Sequence, residues 1–372
     1  MKLSSLTLTV LALLASPVLH ASGSAVPLLG SSLDHVTVFA MTYATSGANS
    51  SVYGDLLSGD VATAGAHASI WGNLMSVGAA TVGAHGRVSG TLFSDGVTTT
   101  GDTAWVGGDV RSGGAATIGA NATVVGKVAA MGAITLSASS ITHGSTSLSA
   151  LPQLGQFSGG VGRESAQLST AQEALRQLGS GTALATTMTT DTVLTAGVFS
   201  AANLSTTAGI TLTLDGQNRA NQSWVFNIDD YLVAGAGTKI VLINGASSDS
   251  IIWNSAGYTS LGANASFLGT LIAHDYISIG AGASVTGIAD HCGGIYSATS
   301  YISTGDGARI GATGCLGGGS GFNLERGVAV LQTNLPAVPE PSGYAMLLIG
   351  LALLGLQRSK RERPWQKEPV PA

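Results

Sequence analysis

The sequence has little charge and few aromatic side chains. Of its 372 residues, 9% are charged and 5% are aromatic, whereas 45% are hydrophobic. Little charge combined with this much hydrophobicity excludes a disordered chain. A net charge of −5 excludes the basic surplus on which nucleic-acid binding depends. Apolar runs occur only near the two ends of the chain, which excludes a protein with many membrane spans.

Glycine, by contrast, is abundant. Its 53 residues do not recur at every third position, as they would in collagen. Six of them are spaced 18 residues apart: Gly54, Gly72, Gly90, Gly108, Gly126 and Gly144. Because 18 is an even number, a side chain in a β-strand keeps its inward or outward direction from one repeat to the next.

Three columns of residues at this spacing are apolar, apart from one threonine, and are predicted to point inward. They are Val52, Ile70, Val88, Val106 and Val124; Leu56, Leu74, Leu92, Val110 and Val128; and Ala64, Val82, Thr100, Ile118 and Leu136. Three short strands in each 18-residue repeat, stacked coil on coil, predict an N-terminal β-solenoid of roughly triangular section within residues 22–148.

A column of threonines is predicted to point outward, at Thr63, Thr81, Thr99, Thr117 and Thr135. The column beside it also has no charge and consists of Val61, Ala79, Val97, Ala115 and Ala133. Stacked coils would hold the hydroxyl and methyl groups in a row about 4.7–4.9 Å apart. A flat, uncharged, half-apolar face is unusual in water and favours a functional surface, although threonine also suits a strand without any further role.

The register is lost over residues 149–190, which are interpreted as a helical insertion. Four apolar residues there have helical spacing: Leu168, Ala171, Leu175 and Leu178. Gly179 is a suitable end signal. We therefore expect an amphipathic helix whose apolar stripe lies along the solenoid.

Strand-like sequence then returns, and solenoid coils are predicted within residues 191–320, followed by a linker at 321–336. Ser-x-Gly now takes the place of Thr-x-Gly, at Ser260, Ser278 and Ser303. Two residues before each of these serines is a tyrosine: Tyr258, Tyr276 and Tyr301. Each tyrosine precedes the glycine of its motif by four residues, and Tyr231 precedes Gly235 by the same number. If the registers match, the threonine face continues as a face of tyrosine and serine.

The first residues have the pattern of a secretory signal. Lys2 supplies a positive charge, Leu6–Leu14 an apolar core and Leu19-His20-Ala21 a cleavage site, so residues 1–21 are interpreted as a signal peptide. In the oxidising compartment that secretion implies, Cys292 and Cys315 can form one disulfide, although two free buried thiols are the alternative.

The last residues have a different pattern. Pro339-Glu340-Pro341 precedes the apolar run Tyr344–Leu356, and a basic cluster follows that run. This order resembles the PEP-CTERM sorting signal of Gram-negative bacteria, over residues 337–363, with a tail at 364–372. The resemblance implies recognition by an exosortase during transient anchoring in the inner membrane, cleavage near Pro-Glu-Pro, and export to the cell surface or extracellular matrix.

Several stretches resemble the DUF3494-type ice-binding proteins of bacteria and fungi. They include Leu29-Gly-Ser-Ser, Thr45-Ser-Gly-Ala, Trp224-Val-Phe-Asn-Ile, Val241-Leu-Ile-Asn-Gly-Ala and Phe267-Leu-Gly-Thr-Leu-Ile-Ala. The resemblance implies an all-β fold, a right-handed discontinuous β-helix with one long α-helix packed alongside, whose flat face binds ice. The coils between Ser51 and Gly144 are additional to the usual family core, and the tyrosine column is bulkier than the surfaces that ice binders favour.

The predicted function is therefore a secreted, antifreeze-like ice-binding protein whose partner is an ice crystal surface. Its predicted site is the threonine column together with Ser260, Ser278 and Ser303, and the tyrosine column forms a secondary face. The alternative is a matrix or adhesion protein that binds an exopolysaccharide by stacking sugars on the tyrosine rings, or that pairs with another solenoid.

Catalysis is not predicted, because the acidic residues are scattered and no outward column places two carboxylates on adjacent coils. His67 and His85 are one coil apart, but two imidazoles without a nearby carboxylate are typical of surface residues rather than of a metal site. We expect no enzyme activity, no cofactor, no metal and no nucleic-acid partner.

Overall fold

A computed structural model describes residues 29, 31–33, 35–148, 160–219, 222–245, 250–288 and 293–312. The chain divides into two units, Met1–Val330 and Leu331–Ala372, and the described residues all lie in the first. The predicted signal peptide, the linker, the sorting segment and the predicted pairing of Cys292 with Cys315 lie outside the described residues.

The described residues form three parallel sheets. The first sheet has 13 strands, in stacking order β20 (Thr182–Ala183), β23 (Gly197–Ala201), β26 (Ser223–Ile228), β29 (Ser250–Ser255), β32 (Thr270–Ala273), β35 (Gly294–Ser297), β1 (Val36–Ala40), β4 (Asp55–Ser58), β7 (Leu74–Ser76), β10 (Leu92–Ser94), β13 (Val110–Ser112), β16 (Val128–Ala130) and β19 (Ser145–Ser147).

The second sheet has 12 strands in this part of the chain: β21 (Thr187–Met188), β24 (Leu204–Thr206), β27 (Leu232–Ala234), β30 (Thr259–Leu261), β33 (Ile277–Ile279), β36 (Ile302–Thr304), β2 (Ala44–Ser46), β5 (Ala62–Ala64), β8 (Ala80–Val82), β11 (Thr98–Thr100), β14 (Ala116–Ile118) and β17 (Ile134–Leu136).

The third sheet also has 12 strands within the described ranges: β22 (Thr192–Thr195), β25 (Thr211–Asp215), β28 (Lys239–Ile243), β31 (Ser266–Leu268), β34 (Ser284–Thr286), β37 (Arg309–Ile310), β3 (Ser51–Val52), β6 (Ser69–Ile70), β9 (Arg87–Val88), β12 (Trp105–Val106), β15 (Thr123–Val124) and β18 (Ile141–Thr142). One strand from each sheet makes one coil, which confirms the predicted β-solenoid of three strands per coil.

The predicted inward columns are buried in the interior of the solenoid. Val52, Ile70 and Val88 have no exposed surface, and each pairs with its counterpart in the next coil. The separate inward column that begins at Ala64 ends at Leu136, which is 44% exposed because it lies in the last strand of the second sheet. In the other half of the chain larger side chains fill the interior, and the rings of Phe226 and Trp253 stack 3.9 Å apart.

The two halves of the chain join at a seam between β35 and β1. The first strand in the chain, β1, lies in the middle of the first sheet, where Val38 pairs with Ile295. The second sheet crosses the seam by pairing Ala44 with Ile302. The third sheet crosses it by pairing Ser51 with Arg309. The coils therefore form one continuous stack, although β35 and β1, which are neighbours in it, are far apart in the sequence.

The α-helix of the described residues, α1 (Gly162–Arg176), covers the outer side of the first sheet. Leu168, Ala171 and Leu175 are buried there, which confirms the predicted apolar stripe. The helix ends before Leu178, which packs partly buried against the same cluster. Strand pairing resumes at β20, inside the stretch predicted as a helical insertion. Among the described residues, no helix is long and apolar enough to cross a membrane.

A buried amide network fixes the helix to the sheet. The Asn254 side chain donates to the Gln172 carbonyl oxygen at 3.1 Å and to Asn227 Oδ1 at 2.8 Å. Gln172 Nε2 donates to Asn254 Oδ1 at 3.0 Å. Asn227 Nδ2 donates to the carbonyl oxygen of Leu175 at 2.7 Å. These amides are almost fully buried, and each bond therefore replaces water that the packed helix excludes.

We expect Asn254→Ala to lower the free energy of unfolding by about 2–3 kcal/mol, because it removes the donor to Asn227 Oδ1 and one of the two acceptors of Gln172 Nε2 in a buried network. Chemical denaturation measures the change. The matched control is Asn203→Ala, at a half-buried bend with no side-chain hydrogen bond among the described residues. Equal losses in the two variants would contradict an anchoring role for the network.

Candidate functional site

The outward side of the second sheet carries one straight column of hydroxyl groups, which we call the hydroxyl column. Every strand contributes a threonine or serine except β27, which contributes Val233. In stacking order the members are Thr187, Ser205, Val233, Ser260, Ser278, Ser303, Thr45, Thr63, Thr81, Thr99, Thr117 and Thr135. The predicted threonines and serines therefore share one column, joined across the seam by Thr45 and Ser303.

Most hydroxyl groups of this column are free to bond water. From Ser260 to Thr135 none of them makes a hydrogen bond within the described part of the chain. Buried serines of the first sheet differ, because Ser58 Oγ donates to the Thr42 carbonyl oxygen at 2.6 Å and Ser112 Oγ to that of Gly96 at 2.8 Å. Within the described ranges the fold thus satisfies these buried hydroxyl groups and leaves the outward ones from Ser260 to Thr135 unpaired.

A second column runs beside the hydroxyl column, two residues earlier in each strand segment. In one half of the stack it is a ladder of stacked tyrosines, with ring centroids 4.5–5.4 Å apart: Tyr231, Tyr258, Tyr276, Tyr301 and Tyr43. Beyond the seam it continues as the predicted small residues, Val61, Ala79, Val97, Ala115 and Ala133.

Tyr43 was not among the predicted site residues. It stacks on Tyr301 at 4.5 Å with the ring planes 6° apart, and it ends the ladder on the far side of the seam. The spacing of Tyr43, Thr45 and Gly47 in the sequence repeats that of Tyr301, Ser303 and Gly305. This match could have indicated Tyr43 as a member of the tyrosine column.

Close contact between coils fixes the corner beside the hydroxyl column. A Cβ atom at Gly47 would lie 2.5 Å from the backbone of Gly305, across the seam. A Cβ atom at Gly101 would lie 2.5 Å from the backbone nitrogen of Ala84. Because real Cβ atoms do not approach backbone so closely, glycine at this corner lets successive coils stack in the same position and keeps the column straight.

The described strands of the second sheet contain no charged residue and no histidine, and such groups near this face lie at the corners that flank it. The His67 and His85 rings stack 4.6 Å apart at one corner, and His85 Nδ1 lies 2.7 Å from Thr103 Oγ1. Both histidines are exposed. The described ranges contain no group of three or more His, Cys, Asp or Glu side chains placed to hold a metal ion.

The tyrosine ladder favours the uncharged form of its rings. Burial raises the pKa of Tyr43, and the neighbouring Tyr301 raises it further by repulsion and by a side-chain hydrogen bond. Burial also raises the pKa of Tyr276, with added repulsion from the adjacent tyrosines and Asp275. The rings of Tyr43 and Tyr276 therefore stay uncharged at physiological pH.

Comparison with known proteins matches two parts of the chain. Residues 159–300 fit the family model described as ice-binding-like, and residues 337–361 fit the PEP-CTERM protein-sorting motif. The segment 159–300 is thus similar to ice-binding-like proteins. It comprises α1 and the coils on one side of the seam, including the tyrosine ladder from Tyr231 to Tyr276.

Two curated relatives match part of the chain. Ice-binding protein 1 of Shewanella frigidimarina is 42% identical over 95 residues, which are 25% of this chain and 11% of that protein. An ice-binding protein of a Colwellia species is 36% identical over 64 residues, 17% of this chain and 25% of that protein. The chain therefore spans a quarter or less of the curated relatives that it matches.

Solved structures of ice-binding proteins also match. The DUF3494 domain of ice-binding protein 1 from Shewanella frigidimarina is 20% identical with a TM-score of 0.45, over 77% of this chain and 96% of that domain. An ice-binding protein from an Antarctic biological consortium is 16% identical with a TM-score of 0.42, over 83% of this chain and 95% of that one.

The stacking of the tyrosine rings tests the alternative function, in which a polysaccharide binds by stacking its sugars on these rings. Stacking requires an open ring face. Tyr258, Tyr276 and Tyr301 each have a parallel ring on both sides, so that only their edges and hydroxyl groups point outward. This arrangement disfavours polysaccharide binding by tyrosine stacking.

The raised pKa of Tyr276 yields a test. Because the folded chain disfavours tyrosinate, the free energy of unfolding should fall as the pH rises past about 10, the ordinary tyrosine value. The ultraviolet absorbance of tyrosinate measures the titration. In the folded chain a late-titrating component should be present, and Tyr276→Phe should reduce it. The denatured chain, in which all tyrosines titrate near the ordinary value, is the control, and coincident folded and denatured titrations would contradict the prediction.

Proposed function

We propose that the chain is an ice-binding protein and that the outward face of the second sheet is its ice-binding surface. The observation that carries this proposal is the hydroxyl column, in register over the whole stack, uncharged, and with hydroxyl groups left unpaired from Ser260 to Thr135. The match of residues 159–300 to the ice-binding-like family model supports it. The proposed contact residues are Thr63, Thr81, Thr99, Thr117, Thr135, Ser260, Ser278 and Ser303, with Tyr258, Tyr276 and Tyr301 as a secondary face.

The physical reason is the repetition of weak contacts. Each hydroxyl group bonds one ordered water molecule, and each threonine methyl group excludes a disordered one. The step between coils, about 4.8 Å, repeats these contacts in a straight row. Because the solenoid is already rigid, binding does not have to order the side chains separately, and small gains per coil add up. In this role the chain needs neither a cofactor nor a catalytic group.

The two halves of the face are not equivalent. Beside the threonines are alanine and valine, and the methyl groups of Thr81 and Thr99 lie among side chains no larger than Val97. Beside the serines is the tyrosine ladder, whose rings extend further from the sheet than alanine does. We therefore assign the primary contact to the threonine half and a secondary contact to the tyrosine and serine half.

The match to the PEP-CTERM sorting motif supports a function outside the cytoplasm. The chain carries a PEP-CTERM motif at residues 337–361. We infer that an exosortase recognises Pro339-Glu340-Pro341 while the apolar run holds the chain in the inner membrane of a Gram-negative bacterium. The signal peptide at residues 1–21 would start this export, and the mature protein would act at the cell surface or in the extracellular matrix.

Replacing Thr81, Thr99 and Thr117 together with lysine should abolish thermal hysteresis, because three charges would order water in a pattern that ice does not have. The free energy of unfolding should change by no more than about 1–2 kcal/mol, since the side chains are on the surface. The control replaces Thr123, Thr211 and Thr286, outward threonines of the third sheet, with lysine. Equal loss of thermal hysteresis in both triple variants would refute the assigned face. If thermal hysteresis were lost only on substituting Ser260, Ser278 and Ser303, the primary contact would lie in the tyrosine and serine half.

Glu340→Ala should prevent processing of the chain in its native host, because it removes the only charged side chain of the Pro-Glu-Pro element. Cell fractionation and immunoblotting should then find the unprocessed chain in the membrane fraction instead of outside the cell. Glu325→Ala, in the predicted linker, is the matched control and should be exported normally. Normal export of the Glu340 variant would count against sorting by this motif.

A further inference from the structure

The third sheet carries a regular row of cations on its outward side. In stacking order one column reads Lys239, Ser266, Ser284, Arg309, Ser51, Ser69, Arg87 and Trp105. A basic residue thus recurs at every third coil, with two serines between successive cations. At about 4.8 Å per coil, the basic residues are about 14 Å apart along the solenoid axis.

Aromatic rings hold the two arginines in place. The guanidinium carbon of Arg87 lies 3.9 Å from the ring centroid of Trp105 and 5.7 Å from that of Trp71. Arg309 lies over the Tyr53 ring at 5.9 Å, and it donates a hydrogen bond to the Tyr53 hydroxyl oxygen at 3.2 Å. A guanidinium group stacked in this way keeps N–H donors in its plane for an anion.

The backbone makes room for this arrangement. A Cβ atom at Gly107 would lie 2.5 Å from the Cη2 atom of Trp105, so the indole ring occupies the space that a side chain would fill. Trp71 stacks parallel to Tyr53, with centroids 6.1 Å apart, and is 45% exposed. In a chain with 5% aromatic residues, this concentration of exposed rings and arginines on one face is distinctive.

The cations of the row have no acidic partners among the described residues. Ion pairs there involve Arg111, Arg163 and Arg176, all of them outside the third sheet. Lys239, Arg309 and Arg87 are exposed, and no carboxylate of the described residues lies within salt-bridge distance of them. Their charge is therefore available to a ligand, although the chain as a whole has a net charge of −5.

We propose that this row binds a linear anionic polysaccharide that lies along the solenoid axis on the third sheet. Carboxylate groups of the polymer would pair with the guanidinium groups of Arg87 and Arg309 through charge-assisted, two-pronged hydrogen bonds. The serine hydroxyl groups between the cations are placed to bond sugar hydroxyl groups. The site is on a different face from the hydroxyl column, so both ligands can bind at once.

The spacing of the charges distinguishes this ligand from nucleic acid. Duplex DNA carries one negative charge per about 1.7 Å of its axis. One cation per about 14 Å neutralises little of that charge, and the acidic chain repels the remainder. A linear polymer of sugars that carry both carboxylate and hydroxyl groups has fewer charges per unit length than duplex DNA, and its mixture of groups matches a row that alternates one cation with two serines.

The test measures binding of the full chain to alginate, a linear polyuronate, by affinity electrophoresis at low and physiological salt, with neutral dextran as the reference polymer. Wild type should be retarded by alginate and not by dextran, and retardation should weaken as salt rises. The double variant Arg87→Ser, Arg309→Ser should bind at least about tenfold more weakly, because it loses two charge-assisted contacts. Both substitutions introduce the residue that other coils already carry in this column.

Arg111→Ser with Arg219→Ser is the matched control, since it removes the same charge from two positions that are not in strands of the third sheet, and it should bind like wild type. Trp105→Ala keeps every charge but frees Arg87, and it should also weaken binding. Lys239→Ser removes one charge of the row and leaves the aromatic rings around Arg87 and Arg309 unaltered. Its binding to alginate should also be weaker than that of wild type. Absence of alginate binding by wild type, an equal loss in the control, or equal affinity for duplex DNA would each overturn the proposal.

Discussion

Parallel backbone pairing across the seam between β35 and β1 is the interaction on which the rest of the structure depends. The Thr42 N–H group donates to the Ser300 carbonyl oxygen at 3.0 Å, and the Ser51 N–H group donates to that of Ala308 at 2.8 Å. Since side chains alternate along a strand, a slip of one residue would turn Val38 outward and Thr45 inward. The hydroxyl column, the tyrosine ladder and the cation row all cross the seam, and each is continuous only in this register.

Packing around the seam supports that register. Phe39 and Tyr296, from the two strands that meet there, belong to one hydrophobic cluster with Leu168 of the helix. The Tyr296 hydroxyl group donates to the Val36 carbonyl oxygen at 2.7 Å. On the opposite corner, the Ala48 N–H group donates to Asp306 Oδ1, 258 residues away in the sequence. The helix thus covers the first sheet at the seam, and no other described helix packs on the outer sides of the other two sheets.

The sequence predicted the coils best where their length is constant. The 18-residue spacing indicated the inward columns and the threonine column, because one side chain position recurs in every coil there. It did not predict the seam, since no periodicity relates Ala44 to Ile302. Coil length varies in the second half, where Thr211 pairs with Lys239 but Ser266 pairs with Ser284. Because of that variation, a fixed spacing in the sequence could indicate neither the cation row nor the return of strands at β20.

Partition of the protein into growing ice tests the central claim most directly. A fluorescently labelled mature chain is mixed with an equal concentration of a labelled protein that does not bind ice, and a single crystal is grown slowly from the solution. If the hydroxyl column binds ice, the chain will be concentrated in the crystal on particular planes while the reference protein stays in the liquid. Exclusion of both proteins to the same extent would contradict the account.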